Sequence, residues 1–300
     1  MSSPRRVAIT GSTGLVGSAL KDALRRDGIE VVPLVRRDPK PGEVRWDVRA
    51  KTIDAAGLEG VDAVVHLAGE SVAGGRWTDA RKARILDSRV DGTTLLAEAL
   101  AGLEAKPKVL VSASAVGYYG DRGDARLAED APAGEGFLAE VCVAWEAAAD
   151  AAREAGIRVA HPRIGIVLSA EGGALEKMKT PFKLGVGGVI GSGDQYMSWL
   201  HLDDLVAMLR FAIDTDALSG PFNATAPEPA TNRAFTEALG KALSRPTFMP
   251  LPKFAAKLAM GSEMADEMLL SSTRAVPAKL RELGFQWRFP ELGAALADVV

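Results

Sequence analysis

Short apolar runs alternate with longer amphipathic stretches through the first half of the chain. Residues 7–10, 29–35, 63–67 and 108–112 are apolar runs of strand length, and Val159 with residues 164–168 makes a fifth. Such runs read as strands buried on both faces of a parallel sheet. Between them, residues 18–26, 79–100 and 137–155 carry Ala, Leu, Glu and Arg at helical spacing. This alternation predicts an α/β fold, a doubly wound parallel sheet with helices on both faces. The texture changes after about residue 168. Glycine-rich loops fill 171–173 and 185–193, a helix is expected at 203–212, and 223–231, with Pro227 and Pro229, reads as a connector. The remainder is helical around a proline-rich interruption at 246–252. The expected division is a sheet domain over 1–225 and a small, mainly helical lobe over 226–300, lying on the sheet's carboxyl edge.

The turn after the first strand carries the first chemistry. Gly11-Ser12-Thr13-Gly14-Leu15-Val16-Gly17 spaces its glycines as GxxGxxG between a strand and a helix. The first glycine allows the tight turn, the second lets backbone approach a pyrophosphate, and the third lets helix pack on strand. Helix N-terminal N–H groups then face the phosphates. The sheet is therefore expected to be of Rossmann type, with residues 11–17 binding a nicotinamide dinucleotide. An NAD-preferring site usually ends its second strand on an acid. Here the strand runs into Arg36-Arg37, and Asp38 comes only after both. A guanidinium can grip a 2′-phosphate with paired hydrogen bonds, so NADP is expected in preference to NAD, with Arg36 the first candidate and Arg37 the reserve; the alternative is two solvated surface arginines. Asp47 is placed near the adenine. Leu67, Ala68 and Gly69 end a strand and are expected to line the cofactor.

Bulk properties narrow the partners. The formal net charge is −3 with 25% charged residues, so no global field favours nucleic acid. The single cysteine, Cys142, excludes an intrachain disulfide and a cysteine-based zinc site. No two histidines have metal-ligand spacing, so no metal is expected. No stretch approaches the ~20 apolar residues of a membrane helix, and the basic residues 1–6 precede only a strand-length apolar run. A cytoplasmic protein without a membrane partner is expected.

Three segments together carry a family resemblance: Gly11xxGly14xxGly17, His66-Leu67-Ala68-Gly69-Glu70 and Val111-Ser112-Ala113-Ser114. The chain resembles the extended short-chain dehydrogenase/reductase superfamily, in its nucleoside-diphosphate-sugar epimerase branch. It is most similar to an atypical subgroup with a C-terminal domain of unknown function. Ser88-Arg89-Val90, residues 114–120, Trp145-Glu146, Arg163-Ile164-Gly165, residues 198–204, residues 223–227 and Gly284-Phe285 carry the match along nearly the whole chain. The resemblance implies that Ser114 binds a substrate oxygen, that Arg163 joins the cofactor contacts, and that helical faces can support a homodimer.

One departure bears on the chemistry. The superfamily usually carries Tyr-x-x-x-Lys, in which lysine lowers the tyrosine pKa and the tyrosine moves a proton. No such pair occurs here, and the positions expected for it, four and eight residues before Glu146, are Cys142 and Leu138. Proton transfer would fall to Tyr118, with Arg122 as cationic neighbour, to His201, or to water. Each has a plainer reading: turn hydroxyl for Ser114, loop packing for Tyr118 and Tyr119, structural packing for His201. Glu70, Lys82 and Arg89 are substrate-side candidates; Arg89 either holds a phosphate or carboxylate or pairs with Glu70. Two functions follow. One is an NADP-binding oxidoreductase or epimerase-like enzyme for a small polar, sugar-derived substrate. The other is a non-catalytic NADPH-binding sensor or regulatory protein.

Overall fold

The computed structural model describes residues 6–300; the basic segment before residue 6 lies outside them. Its centre is a sheet built from β1 (Arg6–Thr10), β2 (Glu30–Val35), β3 (Val44–Asp47), β4 (Thr52–Ile53), β5 (Ala63–His66), β6 (Val109–Ser112), β7 (Ser114–Ala115), β9 (Arg158–Ile164) and β13 (Gly220–Ala224), with β8 (Arg126–Leu127) set apart from it. The order is β13-β9-β6-β5-β1-β2-β3-β4, with β7 also pairing β9. Every pair is parallel except β3 with β4.

Alternation along the strands feeds two cores. Val7, Ile9, Val65 and Val111 pack on one face under α1 (Leu15–Arg26) and α6 (Leu202–Asp214). Ala8, Val64 and Leu110 pack on the other under α2 (Asp79–Ala101) and α4 (Asp150–Glu154). The doubly wound expectation follows from this two-sided burial. The order reverses at β1: the chain steps to β2 on one side and later to β5 on the other. That topological switch opens a crevice above the carboxyl ends of β1 and β5, where such sheets bind ligands.

Three local readings change. The strand expected around Val159 and 164–168 is β9 followed by β10 (Ile166–Leu168), which leaves the main sheet to pair with β12 (Trp199–His201). Pro162 is tolerated inside β9 because the pairing passes there from β6, ending at Ala160, to β7, starting at Arg163. The helix expected over 137–155 divides into α3 (Phe137–Ala147) and α4. The break lets Ala149 and Ala152 join the sheet core while Phe137 and Val141 pack in a separate cluster. The expected connector 223–231 begins inside β13 and ends in β14 (Ala230–Thr231), which pairs with β11 (Tyr196–Met197). Asn223 is fully buried there.

The C-terminal helices are α7 (Asn232–Leu243), α8 (Lys253–Met260), α9 (Ser262–Ala265), α10 (Ala278–Glu282) and α11 (Leu292–Val299), with a π-helical turn at Asp266–Leu270 and β15 (Arg274–Ala275) against β8. Phe235, Leu239 and Leu296 share a core with Leu175 of α5 (Ala174–Lys183), Trp199 and Leu168. The lobe thus draws on chain before and after residue 225. Leu280 and Phe285 return to the sheet core. Among the described residues, no helix is long and apolar enough to cross a membrane.

Candidate functional site

The glycine turn fits its strand and helix without spare room. Gly11 has φ +67°, and a Cβ on Gly17 would lie 2.2 Å from the Gly11 carbonyl oxygen. Only glycine lets α1 pack this close to the turn. Gly14 is the N-cap of α1, which has no side-chain cap and no acid in its first turn. A Cβ on Gly14 would meet only the Gly11 oxygen, at 3.4 Å. Thr13 and Gly14 are exposed, Ser12 is buried, and Leu15 and Val16 are partly buried against the core. An uncapped helix N-terminus beside a glycine-spaced turn suits a diphosphate.

Across the crevice, Thr10 Oγ1 accepts the N–H groups of Leu67 (3.0 Å) and Ala68 (3.2 Å). Its own proton goes to His66 Nδ1 at 2.7 Å, which places the imidazole proton on Nε2. Burial, then the Arg89 charge, pushes the His66 pKa down to about 4, so the ring is neutral near pH 7. This chain of bonds fixes the backbone leading to Gly69.

The two arginines after β2 are not equivalent. Arg37 gives Nη1 and Nη2 to Glu43 at 2.7 and 2.6 Å. Arg36 is exposed and, among the described residues, has no hydrogen-bond or ion-pair partner. Asp47 Oδ1 accepts the N–H groups of Arg49 and Ala50, so this carboxylate also closes its own turn.

Beyond β6 lies a side-chain cluster. Ser114, 2% exposed, donates to Glu146 Oε1 at 2.7 Å. Arg163 grips the same carboxylate with Nε at 2.8 Å and Nη2 at 2.9 Å. Its Nη1 donates to Tyr119 Oη (3.0 Å) and the Glu129 carbonyl (3.2 Å). Burial works against the Arg163 charge, but Glu146 and Tyr119 together outweigh it and raise its pKa. Arg163, expected at the cofactor, is thus occupied in orienting Glu146. Tyr119 donates to Asn223 Oδ1 at 2.7 Å, and burial pushes its pKa up to about 12. Tyr118 lies over the Arg163 guanidinium, 3.4 Å from ring centroid to Cζ. Arg122, expected beside Tyr118, instead donates to the carbonyls of Tyr119, Pro132 and Ala133.

Leu138 and Cys142 flank this cluster: a Cβ on Gly117 would lie 3.3 Å from Leu138 Cβ and 4.0 Å from Cys142 Sγ. Burial pushes the Cys142 thiol up to about 11, which leaves it neutral. Arg89 stacks over Trp145, with Cζ 4.8 Å from the ring centroid, and lies 3.2 Å from where a Gly69 Cβ would be. It donates to the carbonyls of Glu70 and Ile85. The Glu70 carboxylate pairs with Arg81, 3.5 Å away, so the alternative of an Arg89–Glu70 ion pair gives way. Burial lowers the Arg89 pKa.

The lobe packs against the segment that holds Arg76 and Lys82 and against α3. Lys82 pairs with Glu263 at 2.5 Å, and Arg76 donates to the Leu258 carbonyl at 2.7 Å. Glu267 accepts the N–H groups of Phe137 and Leu138, capping α3 from outside its own sequence. His201 accepts from Asp203 N at the start of α6, stacks on Phe289 with centroids 3.9 Å apart, and sets Nε2 3.2 Å from Asp298 Oδ2, outside hydrogen-bonding alignment. It caps α6 and packs against the lobe, and it is not a member of the Ser114 cluster. The sequence reading does not single out Glu146, Asn223 or Glu267, whose side chains the fold brings to this region. Trp145-Glu146 stood in the family match, but only the fold brings Glu146, Ser114 and Arg163 together. Among the described residues, no group of three His, Cys, Asp or Glu could hold a metal.

Residues 7–224 match the NAD dependent epimerase/dehydratase family, and 251–299 match a domain of unknown function, DUF1731. The epimerase family protein Mb2239 of Mycobacterium bovis is 46% identical over 97% of this chain and 96% of its own length. The human epimerase family protein SDR39U1, solved with NADPH, is 38% identical, with TM-score 0.89 over 98% of both chains. A nucleoside-diphosphate sugar epimerase from Corynebacterium glutamicum is 41% identical, with TM-score 0.82 over 98% of this chain and 58% of that one.

Proposed function

This chain belongs to the NAD dependent epimerase/dehydratase family, and from that premise we propose that it is an NADPH-dependent oxidoreductase or epimerase-like enzyme for a small polar, sugar-derived substrate. The observation that carries the reading is the juxtaposition of two features: a glycine turn with an uncapped helix at the switch point, and Ser114 bonded to the anchored Glu146 at the end of the neighbouring strands. Residues 11–17 would hold the diphosphate, and Leu67, Ala68 and Gly69 the adjoining cofactor surface. Arg36 would take the 2′-phosphate, because Arg37 is committed to Glu43. When bound, the cofactor supplies or accepts a hydride at C4 of its nicotinamide.

The chain's own residues handle the proton. Ser114 gives its hydrogen to Glu146, so toward a substrate hydroxyl its oxygen would act as acceptor. As that hydroxyl loses its proton to Ser114 Oγ, the serine proton passes to Glu146; reduction runs the relay backward. Arg163 fixes the carboxylate through two parallel bonds. Tyr118, stacked on Arg163, is the second group for the substrate oxygen. Arg89, with only carbonyl partners, is the cation for an anionic ligand group.

The test is isotope transfer from NADPH deuterated at either face of C4, incubated with the protein in a metabolite extract. A metabolite that gains one deuteron identifies a reductase and its substrate. Ser114→Ala should then lower turnover by at least about tenfold with NADPH affinity unchanged; equal turnover would sink the Ser114 assignment. Leu138 and Cys142 beside the cluster favour a second reading, an NADPH-binding regulator without turnover. Tight NADPH binding, no labelled product, and an NADPH-dependent change in oligomeric state or partner binding would select it.

A further inference from the structure

Helix α8 is packed inside out. Its sequence is KFAAKLAM, and its one buried residue is Ala256. Phe254 and Leu258 are 73% and 76% exposed. They stand four residues apart, so they share one face of the helix. Lys253 and Lys257 form a parallel stripe beside them. A helix that buries alanine and exposes phenylalanine and leucine is not oriented by the protein core alone.

The neighbouring chain extends the same surface. Phe248 and Leu251 make β-bridges to Gly188 and Ile190. Phe248 and Met249 are exposed before the helix, and Leu184 and Val186 are exposed before the bridged strand. Of nine large apolar side chains exposed among the described residues, seven lie in these two segments, so they form a patch, not scattered singles.

The charge is segregated in the same way. The protein's net charge is −3, yet residues 177–193 and 238–261 contain no Asp or Glu. They hold three and four lysines or arginines respectively. Two of these cations, Lys179 and Lys257, pair with flanking acids, Glu176 and Asp266, and Lys183 lies 3.6 Å from Glu176. Lys177, Lys241, Arg245 and Lys253 are exposed. A cationic surface opposes a second copy of itself but complements anionic lipid, where apolar side chains enter the interface while lysines meet headgroups.

We infer that the 184–190 and 248–258 surface docks this protein on an anionic lipid bilayer. The adsorbed surface is joined to the crevice side of the molecule: Arg76 donates to the Leu258 carbonyl, and Lys253 packs on Gly191.

The test is co-sedimentation of the full chain with vesicles of phosphatidylcholine alone or of phosphatidylcholine with phosphatidylserine. Binding is expected on the phosphatidylserine vesicles, weakening as salt rises. The Phe254→Ser, Leu258→Ser double variant should bind at least about tenfold more weakly. Both positions face solvent, and unchanged NADPH binding by the variant would show that it is folded. Lys253→Glu should weaken binding to phosphatidylserine vesicles. Failure of the wild-type protein to sediment with phosphatidylserine vesicles at low salt overturns the inference, and so does equal binding by the double variant. Self-association of wild type that the double variant abolishes, with no vesicle binding, would assign the face to a second copy instead.

Discussion

The glycine turn and the Ser114 cluster lie on neighbouring parts of one sheet edge, yet they are built from different material. The turn is backbone. Gly11, Gly14 and Gly17 act by lacking side chains, and the ligand would meet N–H groups that any sequence of this shape presents. The cluster is made of side chains. Ser114, Glu146, Arg163, Tyr119 and Asn223 come from four separate elements and the turn at Val116–Tyr119, up to 109 residues apart in sequence, from Ser114 to Asn223. The first tolerates almost any neighbour but no Cβ at Gly11 or Gly17. The second tolerates no loss of a partner, because each member satisfies another in a buried setting.

The largest expected effect sharpens the first half of that contrast. Gly17→Ala places a methyl 2.2 Å from the Gly11 oxygen, so turn and helix must part. NADPH affinity should fall by at least about a hundredfold and stability by about 1–3 kcal/mol. Fluorescence titration with a thermal melt reads both, and normal binding would show that the turn is not the diphosphate site.

The second prediction acts on the cluster. Glu146→Leu leaves Arg163, whose side chain is 3% exposed, without its carboxylate. Unfolding in urea should show a loss of about 3–5 kcal/mol, most of it recovered when Arg163→Met is added, since an apolar pair replaces a buried ion pair at little cost. A single-variant loss below about 1 kcal/mol would break the claim that the cluster is mutually dependent.

A third prediction concerns His66, which helps fix the backbone between the two regions. His66 has a folded pKa near 4 against an ordinary 6.5. The unfolded chain therefore takes up a proton first as pH falls. The stability this group contributes is complete above pH 6.5 and lost on descending to about 4. The shift corresponds to about 3 kcal/mol. Urea unfolding between pH 7 and 4 should show the decline, and His66→Gln should flatten it.

The smallest effect separates backbone from side chain within the cofactor site. Arg36→Asp should weaken NADPH by about 10–100-fold and leave NADH unweakened, while Arg37→Ala should change neither by more than a few-fold. Isothermal titration with both nucleotides checks this; an equal loss for NADH would mean that Arg36 serves the fold, not the phosphate.

Much of the architecture was legible because its signals are local. Apolar runs of strand length, amphipathic stretches and a spaced-glycine turn each speak for a few adjacent residues, and repetition of βα units fixes a parallel sheet. The misread places have non-local causes. Pro162 fits a strand only because its pairing partner changes there, and Asn223 is a strand residue because Tyr119 and the carbonyls of Leu127 and Val276 satisfy its amide.

The sequence by itself therefore determined the parallel sheet and the spaced-glycine turn, since backbone geometry follows from short-range pattern and from where side chains are missing. The tertiary structure alone decided which of two adjacent arginines is free, that Arg163 serves Glu146, and that Glu146 meets Ser114. It also decided that α8 turns its large apolar residues outward. Each of these depends on what a side chain finds across the fold, and a residue's partner is not encoded in its neighbours along the chain.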